Sequence, residues 1–274
     1  MSDNSLHLAR SFDEVADLYD AHRPGYPADL FVDLMAQARL DPDDAILELG
    51  CGTGQATRGL APFGRRVLAI DPGSELVGVA KHRLEAFPHV HFAVSTFEAW
   101  APRLSAYRLI VSAQAFHWID PLVALPKAAA VLAPGGMLAC FAYVPQPPPA
   151  DFLGVFEPIY RRLAPQLWVD PPERWYWPGG AFAQSLAASG LFELAEHRVY
   201  PAMRTYTADG FVDYLRTRSD YRALGPERLD ALLAAVAKAV RDGGGTIEME
   251  MPAHLHMARR RPLSAESLPG HRSP

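Results

Sequence analysis

The chain has 274 residues, of which 49% are hydrophobic and 21% charged, and its 26 basic and 31 acidic side chains give a net charge of −5. Wholesale disorder is excluded by that apolar content, and the acidic excess argues against non-specific nucleic-acid binding. At ~150 residues per domain, the length suits one large α/β domain or a core with a cap. Two cysteines, Cys51 and Cys140, cannot build a disulfide framework or a zinc knuckle. Residues 1–10 are polar, and the most apolar tract, 123–143, is broken by Pro126, Lys127, Pro134, Gly135 and Gly136. A bilayer span needs ~20 unbroken apolar residues, so the expectation is a cytoplasmic protein with no signal peptide and no membrane partner.

Apolar residues at 12, 15, 18 and 19 have helical spacing, which predicts a helix over Phe12–Tyr19 that His22-Arg23-Pro24-Gly25-Tyr26-Pro27 ends. A second helix runs over Ala28–Leu40. Ala45–Leu49 is a short apolar run leading into glycines and reads as a buried strand. Helices follow at Gln55–Phe63, Ser74–Phe87 and Leu122–Leu132, with strands at Val67–Ile70, Val90–Val94, Tyr107–Ser112 and Met137–Tyr143. Strands alternating with helices at this rhythm predict a parallel sheet built from right-handed crossovers.

After Val144 the composition changes. Residues 145–180 are rich in proline and aromatics and hold three of the five tryptophans, Trp168, Trp175 and Trp177. Ala181–Ser189 returns to helix, and Phe192–Val199 reads as a sixth strand. Two more helices are expected at Ala208–Arg218 and Pro226–Arg241. Thr246–Met257 alternates weakly and reads as a last strand, with Pro252 demoting its middle to an edge or bulge. Residues 263–274 read as a loose tail.

The strongest local feature is Glu48-Leu49-Gly50-Cys51-Gly52-Thr53-Gly54 at the end of the first strand. Glycines there let a ligand approach the backbone closely, because no Cβ intervenes. No Lys-Ser/Thr follows, so this is not a phosphate loop, and Gln55 or Thr57 stands where a dinucleotide fingerprint needs its last glycine. The Glu48 carboxylate disfavours a pyrophosphate and suits a ligand with an ammonium and a sulfonium. Asp71 ends the second strand, where an acid accepts hydrogen bonds from ribose hydroxyls. A cationic aliphatic part at the loop and a ribose at the next strand tip together describe S-adenosylmethionine.

These residues, with others in order, resemble the class I S-adenosylmethionine-dependent methyltransferases. Ser95-Thr96-Phe97-Glu98 stands where that family places adenine. Ser112-Ala113-Gln114-Ala115-Phe116-His117-Trp118 stands where it lines the methyl-donor site, and Val131-Leu132-Ala133-Pro134-Gly135-Gly136 is similar to its L-x-P-G-G turn. Tyr19-Asp20-x-x-Arg23-Pro24-x-Tyr26-Pro27 resembles its N-terminal lid. Within the class, Arg23-Pro24-Gly25-Tyr26-Pro27, Gly54-Gln55-Ala56-Thr57, Phe116-His117-Trp118 and a late Tyr214–Tyr221 segment resemble the trans-aconitate-methyltransferase-like branch. Arg218 stands in that segment where the branch leads one to expect an aromatic. The likeness is dense over 12–145 and thin beyond.

The resemblance implies a Rossmann-like, seven-stranded, mostly parallel sheet with helices on both faces, an N-terminal lid, and a C-terminal cap made of insertions. The expected organisation is lid helices at 1–40, a cofactor core at 41–145, sheet completion and cap at 146–262, and a flexible tail at 263–274. The lid (12–27) and the segments 145–180 and 201–242 are expected to close over the strand tips. S-adenosyl-L-methionine is the implied cofactor, with S-adenosyl-L-homocysteine the product. The implied contacts are Tyr19, Arg23, Glu48, Gly50, Cys51, Gly52, Gly54, Gln55, Asp71, Pro72, Thr96, Phe97, Glu98, Gln114, Ala115 and Phe116. Trp118, Tyr143, Trp175, Arg218 and Tyr221 are assigned to the substrate.

Several of these residues have two readings. Asp71 either binds ribose or caps the next helix. Phe97 either packs on adenine or belongs to the core. Tyr19 and Arg23 either cover the sulfonium and pair with the methionine carboxylate, or form a helix end with a surface arginine. His117 is either a general base or a packing residue beside Trp118. His254 and His256 share one face of the last strand and are read as surface residues rather than metal ligands, and no metal is expected. The aromatics of 168–177 either fill a satellite core or line a substrate pocket. Arg216, Arg218 and Arg222 either hold a substrate carboxylate or form a solvated helix face. Arg259-Arg260-Arg261 reads as a charged exit to the tail.

The implied activity is methyl transfer to a small molecule, first to a carboxylate oxygen. The alternatives are a nitrogen, hydroxyl or thiol of an aromatic natural product and, in another class, a non-catalytic S-adenosylmethionine-binding protein. The expected partner is the small-molecule acceptor, with no nucleic acid, in a monomer or homodimer.

Overall fold

Four of the five parallel strands are mostly buried on both faces, with helices above and below, and the fifth, at the sheet edge, leaves His91 and Val94 exposed. In the computed structural model, which describes Asp13 and residues 16–169 and 175–262, these strands are β1 (Ala45–Leu49), β2 (Arg66–Asp71), β3 (Val90–Val94), β4 (Tyr107–Ala113) and β5 (Leu132–Tyr143). They pair in parallel in the order β3-β2-β1-β4-β5. Two antiparallel strands, β6 (Phe192–Tyr200) and β9 (Ala253–Arg260), complete a seven-stranded sheet, with β9 between β5 and β6. The seven-stranded, mostly parallel sheet read from the sequence is therefore present.

Residue alternation assigns the two faces. Ile46, Val67, Leu109, Val111, Ala139 and Phe141 pack toward α2 (Ala28–Ala38) and α3 (Gln55–Leu60). Leu47, Leu49, Ile110, Leu138 and Cys140 pack toward α5 (Pro121–Val131) and α8 (Ala181–Ser189). The first described helix, α1 (Ala16–His22), ends three residues later than its spacing predicts, and Phe12 lies outside the described residues. Helix α3 passes into a 3₁₀ turn at Ala61–Phe63, and Gly64, at φ 69°, stops it. Helix α4 (Ser74–Arg83) is four residues shorter than expected, with Asp13 accepting from the Glu75 and Leu76 backbone N–H groups at its start.

The Pro134-Gly135-Gly136 turn lies inside β5 rather than ahead of it, as an irregularity where the register shifts between Tyr107 and Leu109. The proline- and aromatic-rich stretch contains two helices the sequence pattern did not reveal, α6 (Ala150–Leu163) and α7 (Pro165–Val169). Pro158 sits within α6, while Phe152, Phe156 and Tyr160 give it one buried stripe. Strand β7 (Met203–Thr207) was also missed; its burial alternates only between half-buried and exposed.

The expected single strand at 246–257 is two. Met251-Pro252 breaks it, because proline cannot donate to a ladder. The first half, β8 (Thr246–Glu250), pairs with β7 in a separate two-stranded sheet, and the second half is β9. This small sheet, α6, α9 (Ala208–Arg216), α10 (Ser219–Arg222) and α11 (Pro226–Asp242) enclose Phe156, Phe211, Leu233, Val236 and Ile247.

Two surface readings are corrected. His254 and His256 are buried, because β9 is an interior strand; the imidazoles of His197, His254 and His256 form a row on one sheet face. Arg260 is also buried and donates to the Leu132 carbonyl, Arg259 donates to Gln37 O at 2.6 Å, and Arg261 donates to Phe192 O at 3.1 Å. The arginine run therefore fastens β9 to its neighbours. The proposed tail at 263–274 lies outside the described residues. Among those described, no helix is long and apolar enough to cross a membrane.

Candidate functional site

The strand order reverses between β1 and β4, so connections leave that point on opposite faces and a crevice opens at the strand carboxyl ends. The glycine loop fills its floor. Gly50 and Cys51 N–H groups both donate to Ile70 O, at 2.8 and 3.2 Å, folding the loop back on β2. Gly50 has φ 70°, and a Cβ there would lie 2.2 Å from Ala115 Cβ, so the β1 and β4 loops meet only because this residue is glycine.

The cleft is walled by residues from four strand tips and α1. Gly50 and Gly52 come from β1, Asp71 and Pro72 from β2, Thr96, Phe97 and Glu98 from β3, Gln114, Ala115 and Trp118 from β4, and Tyr19 from α1. Its inner end continues along Arg23, Glu48, Cys51 and Gln55, sharing Tyr19, Gly50, Gly52 and Gln114 with the outer part. The structure thus brings together fourteen of the sixteen expected cofactor residues and Trp118 from the substrate set.

Asp71 lines the cleft and also braces the backbone. Its Oδ2 accepts from Gly52 N–H at 2.9 Å and its Oδ1 from Gly73 N–H at 2.8 Å, so it braces the loop and the entry to α4 while facing the cleft. Burial pushes its carboxyl up to about 6, against the two backbone bonds that lower it. Glu48 is fully buried. Its Oε2 accepts from Thr57 Oγ1 at 2.7 Å, and its Oε1 has no hydrogen-bond partner. Burial raises this carboxyl to about 8, with Thr57 opposing and the Asp71 charge adding to the rise. Phe97 is a core residue, stacked on Trp100 at 6.3 Å, and it also lines the cleft.

Helix α1 is held over the cleft by charge. Asp20 is paired with Arg58 of α3 at 3.2 Å and Arg83 of α4 at 2.8 Å, an anchor that the Tyr19-Asp20 motif carried but that was not singled out. Arg23 donates from Nε to Thr217 Oγ1 and from a terminal nitrogen to Thr217 O, both at 2.9 Å, tying α1 to the end of α9. Its guanidinium lies 5.0 Å from the Tyr19 ring centre and 5.5 Å from that of Tyr214. Tyr26, not among the expected residues, also lines the inner end and donates to Gln114 Oε1 at 3.1 Å. Gln114 itself is held left-handed, at φ 51°.

The remaining expected residues lie elsewhere. Gly54 has φ 89° and packs against α4, where a Cβ would approach Leu84 Cδ1 to 2.9 Å; it shapes the loop and does not line the cleft. Phe116 is fully buried against Trp175 and Phe182, because the 3₁₀ turn of 116–118 points it into the core. His117 also stays out of the cleft wall. Its Nδ1 is hydrogen-bonded to the Tyr176 hydroxyl at 3.0 Å, it packs between Trp118 and Trp175, and burial, helped by Arg23, lowers its pKa to about 4. That geometry is the packing side of its two readings.

The substrate set divides over three places. Tyr143 is buried, donating to Gly25 O and accepting from Arg204, and Trp175 joins the Phe116–Phe182 cluster; neither is part of the glycine-loop cleft wall. Arg218 and Tyr221 line a second, larger cavity together with Trp168 and Trp177. The aromatics of the insert are therefore split between core and cavity. Arg216 is paired with Asp230 at 2.9 Å, and Arg218 with Asp220 at 2.6 Å. No cluster of three or more metal-ligating His, Cys, Asp or Glu side chains occurs among the described residues.

Comparison with known proteins agrees with this geometry. Residues 46–136 match the family model described as a methyltransferase domain. An uncharacterised methyltransferase of Mycobacterium tuberculosis is 34% identical over 48% of this chain and 51% of its own. A trans-aconitate 2-methyltransferase of Variovorax paradoxus is 34% identical over 39% of this chain and 41% of its own. The chain spans about half the length of the curated relatives it matches. A solved structure from Anaeromyxobacter dehalogenans, provisionally described as a type II methyltransferase, is 27% identical with a TM-score of 0.62, over 88% of this chain and 99% of that one. Residues 46–136 thus carry a methyltransferase domain, and the fold around it is similar, over 88% of the chain, to that of the Anaeromyxobacter methyltransferase-like structure, the likeness expected of a class I S-adenosylmethionine-dependent methyltransferase.

Proposed function

We propose that this protein binds S-adenosylmethionine in the glycine-loop cleft and methylates a small organic molecule. One observation carries the reading: the buried Glu48, a residue of the inner end of the cleft, has an Oε1 without a partner, and a second acid, Asp71, lines the cleft at the β2 tip. A buried carboxyl oxygen without a partner is costly, and a ligand ammonium would satisfy it and favour the ionised form. Asp71 has lone pairs left for ribose hydroxyls after its two backbone bonds. Phe97 and the 95–98 backbone offer an apolar slot suited to adenine, and the Tyr19 ring offers a cation–π face. Three acids, Glu48, Asp71 and Glu98, and no lysine along this cleft disfavour a pyrophosphate cofactor.

Bound there, S-adenosylmethionine supplies an already activated methyl group, whose C–S bond breaks with its electron pair left on sulfur as the bond to the acceptor atom forms. The chain's own residues then have mainly to position and to exclude water. Asp20 and Arg23 hold α1 over the loop, and the Tyr26–Gln114 bond fixes the β4 side of the reaction zone. A carboxylate acceptor needs no proton removed, which suits a site where His117 is turned toward Tyr176.

The name of the trans-aconitate relative supports a carboxylate acceptor, and the composition of the larger cavity supports an aromatic one. Calorimetric titration with S-adenosylmethionine, S-adenosylhomocysteine and NADH tests the cofactor assignment. Micromolar binding of the first two and none of the third is expected; folded protein that binds neither adenosyl ligand overturns it. Turnover with an acceptor panel separates an enzyme from a non-catalytic binding protein.

A further inference from the structure

Behind the Arg23–Tyr214 contact lies a cavity of about 630 Å³. Tyr214 lines it and Arg23 lines the glycine-loop cleft, with the Arg23 guanidinium 5.5 Å from the Tyr214 ring centre, so the two spaces adjoin at this pair. From this cavity we infer the acceptor: a neutral, flat, apolar molecule of about two or three rings, rather than a small polycarboxylate. The inference rests on the reading that the glycine-loop cleft holds S-adenosylmethionine, and it deepens that reading.

Three observations carry it. The first is size: the volume is that of a pocket for a drug-sized ligand, well beyond a six-carbon acid. The second is the lining. Phe156, Phe211, Trp168 and Trp177 present aromatic surface, and Met249 and Met251 add adaptable, polarisable contact. The third is charge. Among the described residues lining the cavity, Arg218 and Asp220 are the only formal charges, and they are joined by two hydrogen bonds of 2.6 and 3.1 Å. Among these described residues the two charges balance. A carboxylate that captured Arg218 would strand Asp220, and one that did not would be buried without a counter-charge.

The cavity also offers a polar handle. Tyr160 and Tyr221 hydroxyls are 2.5 Å apart, and one proton of the pair remains to donate to a ligand carbonyl or hydroxyl. Leu153 and Trp177 are 38% and 40% exposed, which marks them as the rim.

The test uses N-phenyl-1-naphthylamine, a neutral fluorescent probe of two linked aromatic units, with the full chain. Saturable micromolar binding is expected, with quenching of tryptophan emission and no displacement by millimolar trans-aconitate or tricarballylate. Leu153→Asp, at the exposed rim, should weaken the probe about tenfold and leave S-adenosylhomocysteine affinity unchanged; Trp177→Ala is a second rim variant that adds no charge. Protein that binds S-adenosylhomocysteine but not the probe overturns the inference alone. So does displacement of the probe by the polycarboxylates, or indifference of probe binding to both variants. Probe binding with no adenosyl binding overturns the cofactor reading, and with it the cavity's role as acceptor site.

Discussion

Thr57 Oγ1 donates to Glu48 Oε2 at 2.7 Å, joining α3 to β1 and satisfying only one side of a fully buried carboxyl. The other oxygen has no partner, in a residue that lines the inner end of the cleft.

Glu48→Gln should therefore separate stability from binding. In the folded chain this carboxyl holds its proton to about pH 8, against an ordinary value of 4.5. Between those values the folded state keeps a proton that the unfolded state has lost, so this group lowers stability as pH rises through the window. The glutamine variant lacks that slope, and its melting temperature should gain on the parent from about pH 5 to pH 8 without ligand. Its affinity for S-adenosylhomocysteine should fall ~10- to 100-fold, the worth of a charged hydrogen bond. Melts across pH, with calorimetry, check both.

Asp71 is expected to behave differently, because it braces two backbone N–H groups as well as facing the cleft. Asp71→Ala strands both and should cost ~1–3 kcal/mol for each that water does not reach. Asp71→Asn keeps one acceptor oxygen and should lose less stability while still losing affinity for the adenosyl ligand. Unchanged affinity in a folded Asp71→Ala variant would remove the ribose assignment.

At Gly50 the test is steric. Gly50→Ala places a methyl 2.2 Å from Ala115 Cβ at φ 70° and should cost ~1–3 kcal/mol together with most of the cofactor affinity. Pairing it with Ala115→Gly relieves the contact but not the backbone angle, so thermal stability should return only in part.

His117 predicts an acid limb. Burial holds it neutral to about pH 4 in the folded chain, against 6.5 ordinarily, and His254 is shifted alike, to about 4. The unfolded chain takes up protons first, so these groups add stability above 6.5 that is lost as pH falls toward 4. His117→Gln should flatten that limb in melts between these values. A large fall in turnover at unchanged stability and cofactor affinity would instead restore the general-base reading.

The core was legible because its signals are local. The apolar runs ending in Gly50 and Asp71 announce strand tips, and in a parallel sheet the strand tips carry the site. What stayed hidden depends on partners distant in sequence. Nothing near Pro252 says that the residues after it enter the middle of the sheet, so His254, His256 and Arg260 looked exposed. Phe116 and Trp118 sit two apart in one motif, yet a 3₁₀ turn sends one to the core and the other to the cleft. In α6, the buried stripe of Phe152, Phe156 and Tyr160 has helical spacing, but surrounding prolines masked it. Asp20 resembles any exposed helix acid until Arg58 and Arg83 come from two other helices to meet it.

The place of β9 also bears on how the chain assembles during synthesis. Residues 137–143 find their antiparallel partners only at 253–259, and β6 reaches the sheet through β9 alone. While the ribosome is still adding the cap, β5 is a bare edge and β6 has no docking place, the condition under which nascent sheets stick to one another. Closure by so distant a strand makes for slow folding, and it makes 253–260 the segment whose arrival seals the molecule.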